Sequence, residues 1–177
     1  MKNNLLEEIL FSEQEIKEAC QSLGKQITKD YENKDLVLIG LLKGCIPFLS
    51  DLSKYIELPL EIQYMIVSSY HGGTTSNELH MKYDLETPIA NRDILIVEDI
   101  VDTGQTIKTI MKMLKDRGAR SIEIVSLLNK TANNDLTPKY IGFNIPNKFV
   151  VGYGLDFQEK YRNLPYIGVL KKEFYDK

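Results

Sequence analysis

The fold is decided by one stretch of the chain, Ile94-Leu95-Ile96-Val97-Glu98-Asp99-Ile100-Val101-Asp102-Thr103-Gly104-Gln105-Thr106. It begins as a run of β-branched and aliphatic residues, which is the composition of a buried strand. Small residues follow, and the apolar residues then recur at the spacing of one helix face, as Ile107, Ile110, Met111 and Leu114. A strand, a loop of small residues and a helix start together present backbone N–H groups that can bind a phosphate.

The same stretch carries the carboxylates of Glu98, Asp99 and Asp102. Carboxylates do not contact a phosphate favourably, so the pattern requires a partner that is cationic or rich in hydroxyl groups. Carboxylates accept hydrogen bonds from sugar hydroxyls and are ligands for hard divalent cations. A phosphate-binding loop beside these acids therefore predicts a phosphorylated sugar as the ligand.

Two further apolar runs, at 36–42 and 121–128, are separated from this stretch by helical patterns, which predicts a parallel α/β sheet. The first run ends in Lys43-Gly44, with Pro47 placed for the first turn of a helix, and the second ends at Lys130. In an open parallel sheet, ligands bind outside the carboxyl ends of the strands. We therefore expect one shared site at this edge.

The remaining segments are assigned from periodicity. The apolar stripe over residues 5–31 predicts one or two helices, and Ser12 with Glu15 fits a capping box at the start of the second. Residues 61–67 are predicted to form a third strand. Residues 68–78 are polar and glycine-rich without periodicity, which is typical either of a lid that closes over a ligand or of a mobile hairpin tip.

Length and composition bound the class of protein. A chain of 177 residues predicts a single domain over 1–177. The net charge of −3 argues against a basic surface for nucleic acid or membrane, and no apolar run approaches the roughly 20 residues of a membrane span. The first residues lack the pattern of a signal peptide. Cys20 and Cys45 fit neither a metal motif nor a disulfide framework, so we expect reduced thiols and a cytoplasmic location.

The motif at 97–106 resembles the phosphoribosyl-diphosphate (PRPP) binding motif of the type I phosphoribosyltransferases. More narrowly, the chain is similar to the hypoxanthine-guanine phosphoribosyltransferases. The matching stretches cover most of residues 36–170; besides the central motif they are 41–44, 68–70, 127–130, 142–156 and 161–170. The resemblance implies a central, mostly parallel, twisted sheet flanked by helices, with a small hood built from the terminal segments.

The resemblance also implies an activity. It is the transfer of the 5-phosphoribosyl group from PRPP to N9 of hypoxanthine or guanine, which yields IMP or GMP and pyrophosphate. Mg²⁺ is the implied cofactor, and a homodimer or homotetramer is the implied assembly. An RNA-binding regulator on the same fold stays open, although the acidic pI of about 5.5 disfavours it. A transferase for another base, such as xanthine or uracil, also stays open.

The resemblance assigns site residues by group. Those implied for the PRPP phosphate and ribose are Glu98, Asp99, Asp102, Thr103, Gly104, Gln105 and Thr106. Those implied for pyrophosphate are Lys43, Gly44, Ser69, Tyr70 and Arg162. Those implied for the purine are Lys130, Phe149, Val150 and Asp156. The implied metal ligands are Glu98, Asp99 and Asp156.

Four of these roles have a chemical reason. Asp102 corresponds to the catalytic general acid/base near N7 of the purine, and it also suits the N-cap of a helix. Lys130 carries a donor-only ammonium, which suits the 6-oxo group and disfavours the 6-amino group of adenine. Phe149 corresponds to the aromatic ring that stacks on the base, and Arg162 can hold two pyrophosphate oxygens at once.

The chain departs from the family after Lys43-Gly44. Many relatives have Gly or Ala at the next position, whereas this chain has Cys45. Because cysteine is also small, we expect the pyrophosphate loop to keep its function. In this family the loop often contains a cis peptide bond.

Overall fold

The apolar runs of the sequence become the inner strands of a sheet in the computed structural model, which describes residues 5–69, 79–131 and 136–176. The strands are β1 (Leu6–Phe11), β2 (Leu36–Leu41), β3 (Glu61–Ser69), β4 (Leu79–Tyr83), β5 (Asp93–Val101), β6 (Ser121–Lys130), β7 (Tyr140–Ile145), β8 (Val150–Val151) and β9 (Ile167–Leu170). The helices are α1 (Glu13–Asp30), α2 (Ile46–Ser53) and α3 (Gln105–Asp116), with a 3₁₀ turn at Lys172–Phe174.

Six strands form the main sheet, in the order β4-β3-β2-β5-β6-β7. Every neighbouring pair is parallel except β3 and β4, which are antiparallel. The terminal segments form a second, antiparallel sheet in the order β1-β9-β8, which we call the hood. The predicted fold class, a mostly parallel sheet with helices and a terminal hood, is confirmed.

Helices cover both faces of the main sheet. Alternate residues of each strand point to opposite faces, so each strand contributes side chains to both cores. On β5, Leu95 and Val97 pack into the core beneath α1 and α2, while Ile94 and Ile96 pack into the core beneath α3. The continuous apolar run of β5 therefore serves two cores. Because β5 lies between β2 and β6 in the strand order, its carboxyl end is near the middle of one sheet edge.

The prediction of helix over the first residues of 5–31 is wrong, because residues 6–11 form β1. The Leu6, Ile9 and Leu10 spacing suits a helix, but pairing with β9 in the hood overrides this local pattern. The second predicted helix is present as α1. Its capping box is confirmed, since Ser12 accepts from the Glu15 N–H and the Glu15 side chain accepts from the Ser12 N–H.

Other boundaries differ slightly. β3 continues to Ser69 rather than ending at residue 67, and α3 begins at Gln105. Most of the polar segment 68–78, predicted as a lid or a hairpin tip, lies outside the described residues, which omit 70–78. β7 was not predicted, because Gly142 and Asn144 interrupt its apolar pattern.

In the described part of the chain, no helix has both the length and the apolar character that a membrane crossing requires.

Candidate active site

The carboxyl ends of β2 and β5 open into one cleft with a volume of about 290 Å³. Lys43 and Gly44 line it from the loop after β2, and Glu98 and Asp99 line it from β5. The loop 102–106 forms the remaining wall. The structure thus brings Lys43 and Gly44 together with the residues that the resemblance assigned to the phosphate and ribose of PRPP, as expected for the carboxyl edge of a parallel sheet.

The loop between β5 and α3 is built to expose the start of the helix. Gly104 is the N-cap residue and has φ +71°, a left-handed conformation that glycine adopts without steric cost. The N-cap residue makes no side-chain hydrogen bond to α3, and the first turn contains no acid. Thr103 Oγ1 accepts a long hydrogen bond, of 3.5 Å, from the Gln105 N–H. Because the first N–H groups of a helix have no partner within the helix, this end can accept a phosphate.

Glu98 and Asp99 lie on the last part of β5, beside the cleft. Burial of the carboxyl group raises the pKa of Asp99 to about 6, and the nearby Asp156 charge acts in the same direction. Burial also raises the pKa of Glu98 well above its ordinary value, and the Asp99 charge adds to this effect. Two adjacent acids with raised pKa values favour a cation or hydroxyl donors beside them.

The loop after β2 is packed tightly against Asp99. A Cβ at Gly44 would lie 1.7 Å from Asp99 Oδ2, so any larger residue would displace the Asp99 carboxylate. The next residue, Cys45, is buried and is the N-cap residue of α2, and Gly40 leaves room for its Sγ. A cis peptide bond joins Leu42 to Lys43, within the loop where the resemblance implied one.

A second loop, 152–156, closes on the first one. Gly154 has φ +97°, and a Cβ there would lie 2.0 Å from the Gly44 carbonyl oxygen. Gly152 has φ +101° and packs equally closely on the Tyr166 carbonyl of the hood. The loop that carries Asp156 is therefore held between the hood and loop 42–45.

Lys130 and Asp102 form an ion pair of 2.9 Å, although they come from different strand ends. The Lys130 side chain is largely buried, and it also donates to Asn147 Oδ1 at 3.3 Å. Asp102 is half-exposed. The predicted base-reading lysine and the predicted general acid/base are thus in direct contact.

Arg162 forms ion pairs with two acids, Asp156 in the second loop and Glu159 just after it. Its guanidinium is 2.7 Å from Asp156 Oδ1 and 3.3 Å from Glu159 Oε1, and it donates to the Gly154 carbonyl at 2.8 Å. The other Glu159 oxygen is 2.8 Å from Lys43 Nζ. The Lys43 ammonium holds the pKa of Glu159 below its usual range. The two predicted pyrophosphate cations, Lys43 and Arg162, therefore share Glu159.

Phe149 precedes the hood strand β8, which begins with the buried Val150. The Phe149 ring is partly exposed, stacks on Tyr175 with centroids 4.9 Å apart, and meets Phe157 edge-on. Of the remaining predicted residues, Ser69 ends β3, and Tyr70 lies outside the described residues.

Sequence reasoning missed three residues of this region, Asn147, Glu159 and Tyr175. Asn147 contacts Lys130, Glu159 contacts Lys43 and Arg162, and Tyr175 contacts Phe149. All three lie outside the strand-end pattern that was used to find the site. Only Glu159 carried a signal, as an acid between the predicted residues Asp156 and Arg162.

A resident metal cage is not built among the described side chains, since no group of three or more His, Cys, Asp or Glu is clustered there. Magnesium, however, is usually held by one or two carboxylates together with substrate phosphates. Glu98 and Asp99, with raised pKa values beside a phosphate-binding loop, fit that arrangement. The donor set is thus suited to a cation that arrives with the substrate.

An uncapped helix start, paired acids and a cation-bearing loop at one sheet edge are the arrangement expected of a phosphoribosyltransferase. The family model for the phosphoribosyl transferase domain matches residues 7–158, and the chain belongs to this family. A hypoxanthine-guanine phosphoribosyltransferase of Staphylococcus aureus is 52% identical over 176 residues, which cover 98% of each chain. The enzyme of that name from Lactococcus lactis is 51% identical over 97% of this chain and 95% of its own.

Solved structures agree with these relatives. A crystal structure of a hypoxanthine phosphoribosyltransferase from Staphylococcus aureus superposes with a TM-score of 0.94 at 50% identity, and all of both chains is covered. The hypoxanthine phosphoribosyl transferase of Trypanosoma cruzi has a TM-score of 0.93 at 36% identity, covering 99% of this chain and 97% of its own.

Proposed function

We propose that the protein transfers the 5-phosphoribosyl group of PRPP to N9 of hypoxanthine or guanine, with release of pyrophosphate. One observation carries the proposal. The Lys130–Asp102 pair, which suits a 6-oxopurine, adjoins the phosphate loop of the cleft that Lys43, Glu98 and Asp99 line. The named relatives, which match nearly the whole chain at about half identity, support the same activity.

The cleft suggests how PRPP is oriented. The 5′-phosphate is expected on the exposed N–H groups of loop 102–106 and the start of α3. The ribose hydroxyls then face the carboxylates of Glu98 and Asp99, and pyrophosphate faces Lys43 and Arg162. This orientation places the anomeric carbon between the leaving group and the purine side of the cleft. Holding both reactants in this way supplies much of the rate enhancement in such transfers.

In the reaction, the bond between C1′ and the pyrophosphate oxygen breaks and the bond between C1′ and N9 forms. The purine loses one proton, which we assign to Asp102 near N7. The 6-oxo group would accept a hydrogen bond from Lys130, which now binds Asp102 at 2.9 Å. Base binding would therefore loosen the ion pair and free Asp102 as a proton acceptor.

Mg²⁺ is part of the proposal. Glu98 and Asp99 would hold the ion, which when bound would offset part of the charge of the departing pyrophosphate. Asp156 would approach a second cation only if its ion pair with Arg162 opens, because the two groups are now 2.7 Å apart. Arg162 would then turn its guanidinium to the pyrophosphate.

The deciding experiment measures PRPP consumption with hypoxanthine, guanine, xanthine, adenine and uracil, each with Mg²⁺ and with a chelator. Turnover is expected with hypoxanthine or guanine and only in the presence of Mg²⁺. A Glu98→Gln, Asp99→Asn double variant, purified in the same way, controls for contaminating host enzyme. Turnover with uracil alone would contradict the proposal. Failure to consume PRPP with any of the five bases would also contradict it.

Assembly and location are also proposed. We expect a homodimer or homotetramer, to be measured by sedimentation of the purified chain. The Trypanosoma cruzi relative was studied for the role of its C-terminal region in oligomeric state and activity, which makes assembly a relevant property of such enzymes.

A cytoplasmic location suits the two free thiols, Cys20 and Cys45.

A further inference from the structure

We propose that the Glu159 carboxylate competes with pyrophosphate for Lys43 and Arg162, and so sets how tightly the enzyme holds PRPP and pyrophosphate. The inference rests on the proposed function, because it takes Lys43 and Arg162 as the groups that bind the leaving group. It adds a residue that weakens substrate and product binding to those that strengthen it.

The contacts of Glu159 have the form of an anion bound to two cations. Oε2 lies 2.8 Å from Lys43 Nζ, and Oε1 lies 3.3 Å from a guanidinium nitrogen of Arg162. Ammonium and guanidinium groups have donors only, so this carboxylate and a phosphoryl oxygen are alternative acceptors for the same N–H groups. A pyrophosphate that takes the N–H groups now bound to Glu159 must therefore displace it.

The backbone around Glu159 is shaped to hold it there. Phe157 and Lys160 exchange two backbone hydrogen bonds of 3.1 Å, so Gln158 and Glu159 form a two-residue turn. Both central residues have positive φ, +53° and +60°, as in type I′ turns, which favour Asn-Gly. The Glu159 N–H also donates to Asp156 Oδ2 at 2.9 Å. A disfavoured conformation at two residues without glycine is more often found at functional positions than elsewhere.

The energetics suit a contact that ligand can displace. The Lys43 and Glu159 side chains are exposed by 61% and 66%, and such exposed pairs contribute little stability. Pyrophosphate carries more charge than a carboxylate and therefore wins the exchange. Once it is bound, the displaced Glu159 charge stays nearby on a short turn and repels it. Both effects lower the affinity for PRPP and pyrophosphate.

The test compares Glu159→Gln with Glu57→Gln. Glu57 is exposed and precedes β3, at the opposite edge of the sheet, so its substitution makes the same change in net charge away from the site. The KM for PRPP at saturating hypoxanthine and the Kd of magnesium pyrophosphate, by calorimetry, are measured for both. We expect Glu159→Gln to lower each constant about two- to five-fold, the range of an exposed ion pair, while Glu57→Gln lowers neither.

A second variant guards against a folding defect. Glu159→Asn also removes the charge, and asparagine accepts a left-handed conformation more readily than glutamate, so the turn is retained. It is expected to lower the same two constants. Constants that stay unchanged or rise in both variants would overturn the inference and leave the proposed function standing. If the unaltered protein does not consume PRPP with any base, both fail together.

Discussion

Asp102 and Lys130 are 28 positions apart in the chain, yet their side chains meet at 2.9 Å. Each end of the pair has a separate task in the proposed reaction, proton transfer for Asp102 and recognition of the oxo group for Lys130. Pairing the two charges keeps both groups satisfied, and it links arrival of the base to release of the carboxylate. Substitution of Asp102 therefore tests the proposed proton transfer directly.

Replacing Asp102 by Asn is expected to lower turnover by about 10²–10⁴-fold, because an amide can still accept from Lys130 but cannot take a proton. The KM for PRPP should change little, since the phosphate is held by backbone N–H groups. Steady-state kinetics with hypoxanthine measure both constants. Asp116→Asn, at the far end of α3, is the control with the same charge change and should retain wild-type turnover. Normal turnover in Asp102→Asn would remove Asp102 from the acid/base role.

At the scale of elements, the site depends on close contact between two loops. Gly154 lies against the Gly44 carbonyl, and Gly44 lies against the Asp99 side chain. Loop 152–156, loop 42–45 and the end of β5 are therefore packed in series, with no side chain between them at the glycines. A comparable glycine contact joins α1 to the end of α2, where Gly24 faces the Tyr55 backbone.

These two glycine contacts can be compared directly. An Ala at Gly154 would place its Cβ 2.0 Å from a backbone oxygen and would need φ +97°, so it should displace loop 42–45 and raise the KM for PRPP. Gly24→Ala would place its Cβ 2.6 Å from the Tyr55 carbonyl oxygen, away from the cleft, and should leave that KM unchanged. Both should lower the free energy of unfolding, by about 1–3 kcal/mol, in urea titrations. An equal KM for PRPP in the two variants would count against the loop contact.

Across the whole molecule, β5 carries acids at both ends, and their pKa values are shifted in opposite directions. At its amino end, burial by itself raises the pKa of Asp93, but hydrogen bonds from Arg120 and Ser121 outweigh this and lower it. At its carboxyl end, the pKa values of Glu98 and Asp99 are raised. One edge of the sheet therefore holds satisfied acids that stabilise the fold, and the other holds acids suited to ligands.

The amino edge makes a pH-dependent contribution to stability. Because the folded pKa of Asp93 is below its ordinary value of 3.8, its stabilisation is present above that value and is lost as the pH falls through the folded pKa. Asp93→Asn should lower the free energy of unfolding at neutral pH by about 1–3 kcal/mol and reduce its fall in acid. Urea unfolding of both proteins at neutral pH and below pH 3.8 measures this. The KM for PRPP should not change, and equal stability at neutral pH would contradict the role of Asp93.

Local patterns in the chain were enough to predict the central sheet and the edge that carries the site. Residues 36–42 and 94–97 are continuous apolar runs, and residues 121–128 are mostly apolar. Each is followed by small, charged or polar residues, so strand, loop and helix start are encoded locally. The family was equally clear from local motifs, and it is confirmed by the match over residues 7–158. The single-domain boundary and the roles of individual site residues stay predictions.

Contacts between groups that are distant in the chain depend on how the whole chain folds. Residues 6–11 have a helical pattern but become β1, because β9 supplies strand partners from the other end of the chain. Tyr175 reaches Phe149, and Glu159 reaches Lys43 over 116 positions. Such contacts leave no periodicity in the sequence, since they depend on how the hood and loop 152–156 fold back over the sheet edge. The strand-end pattern therefore located the cleft, and long-range packing decided what surrounds it.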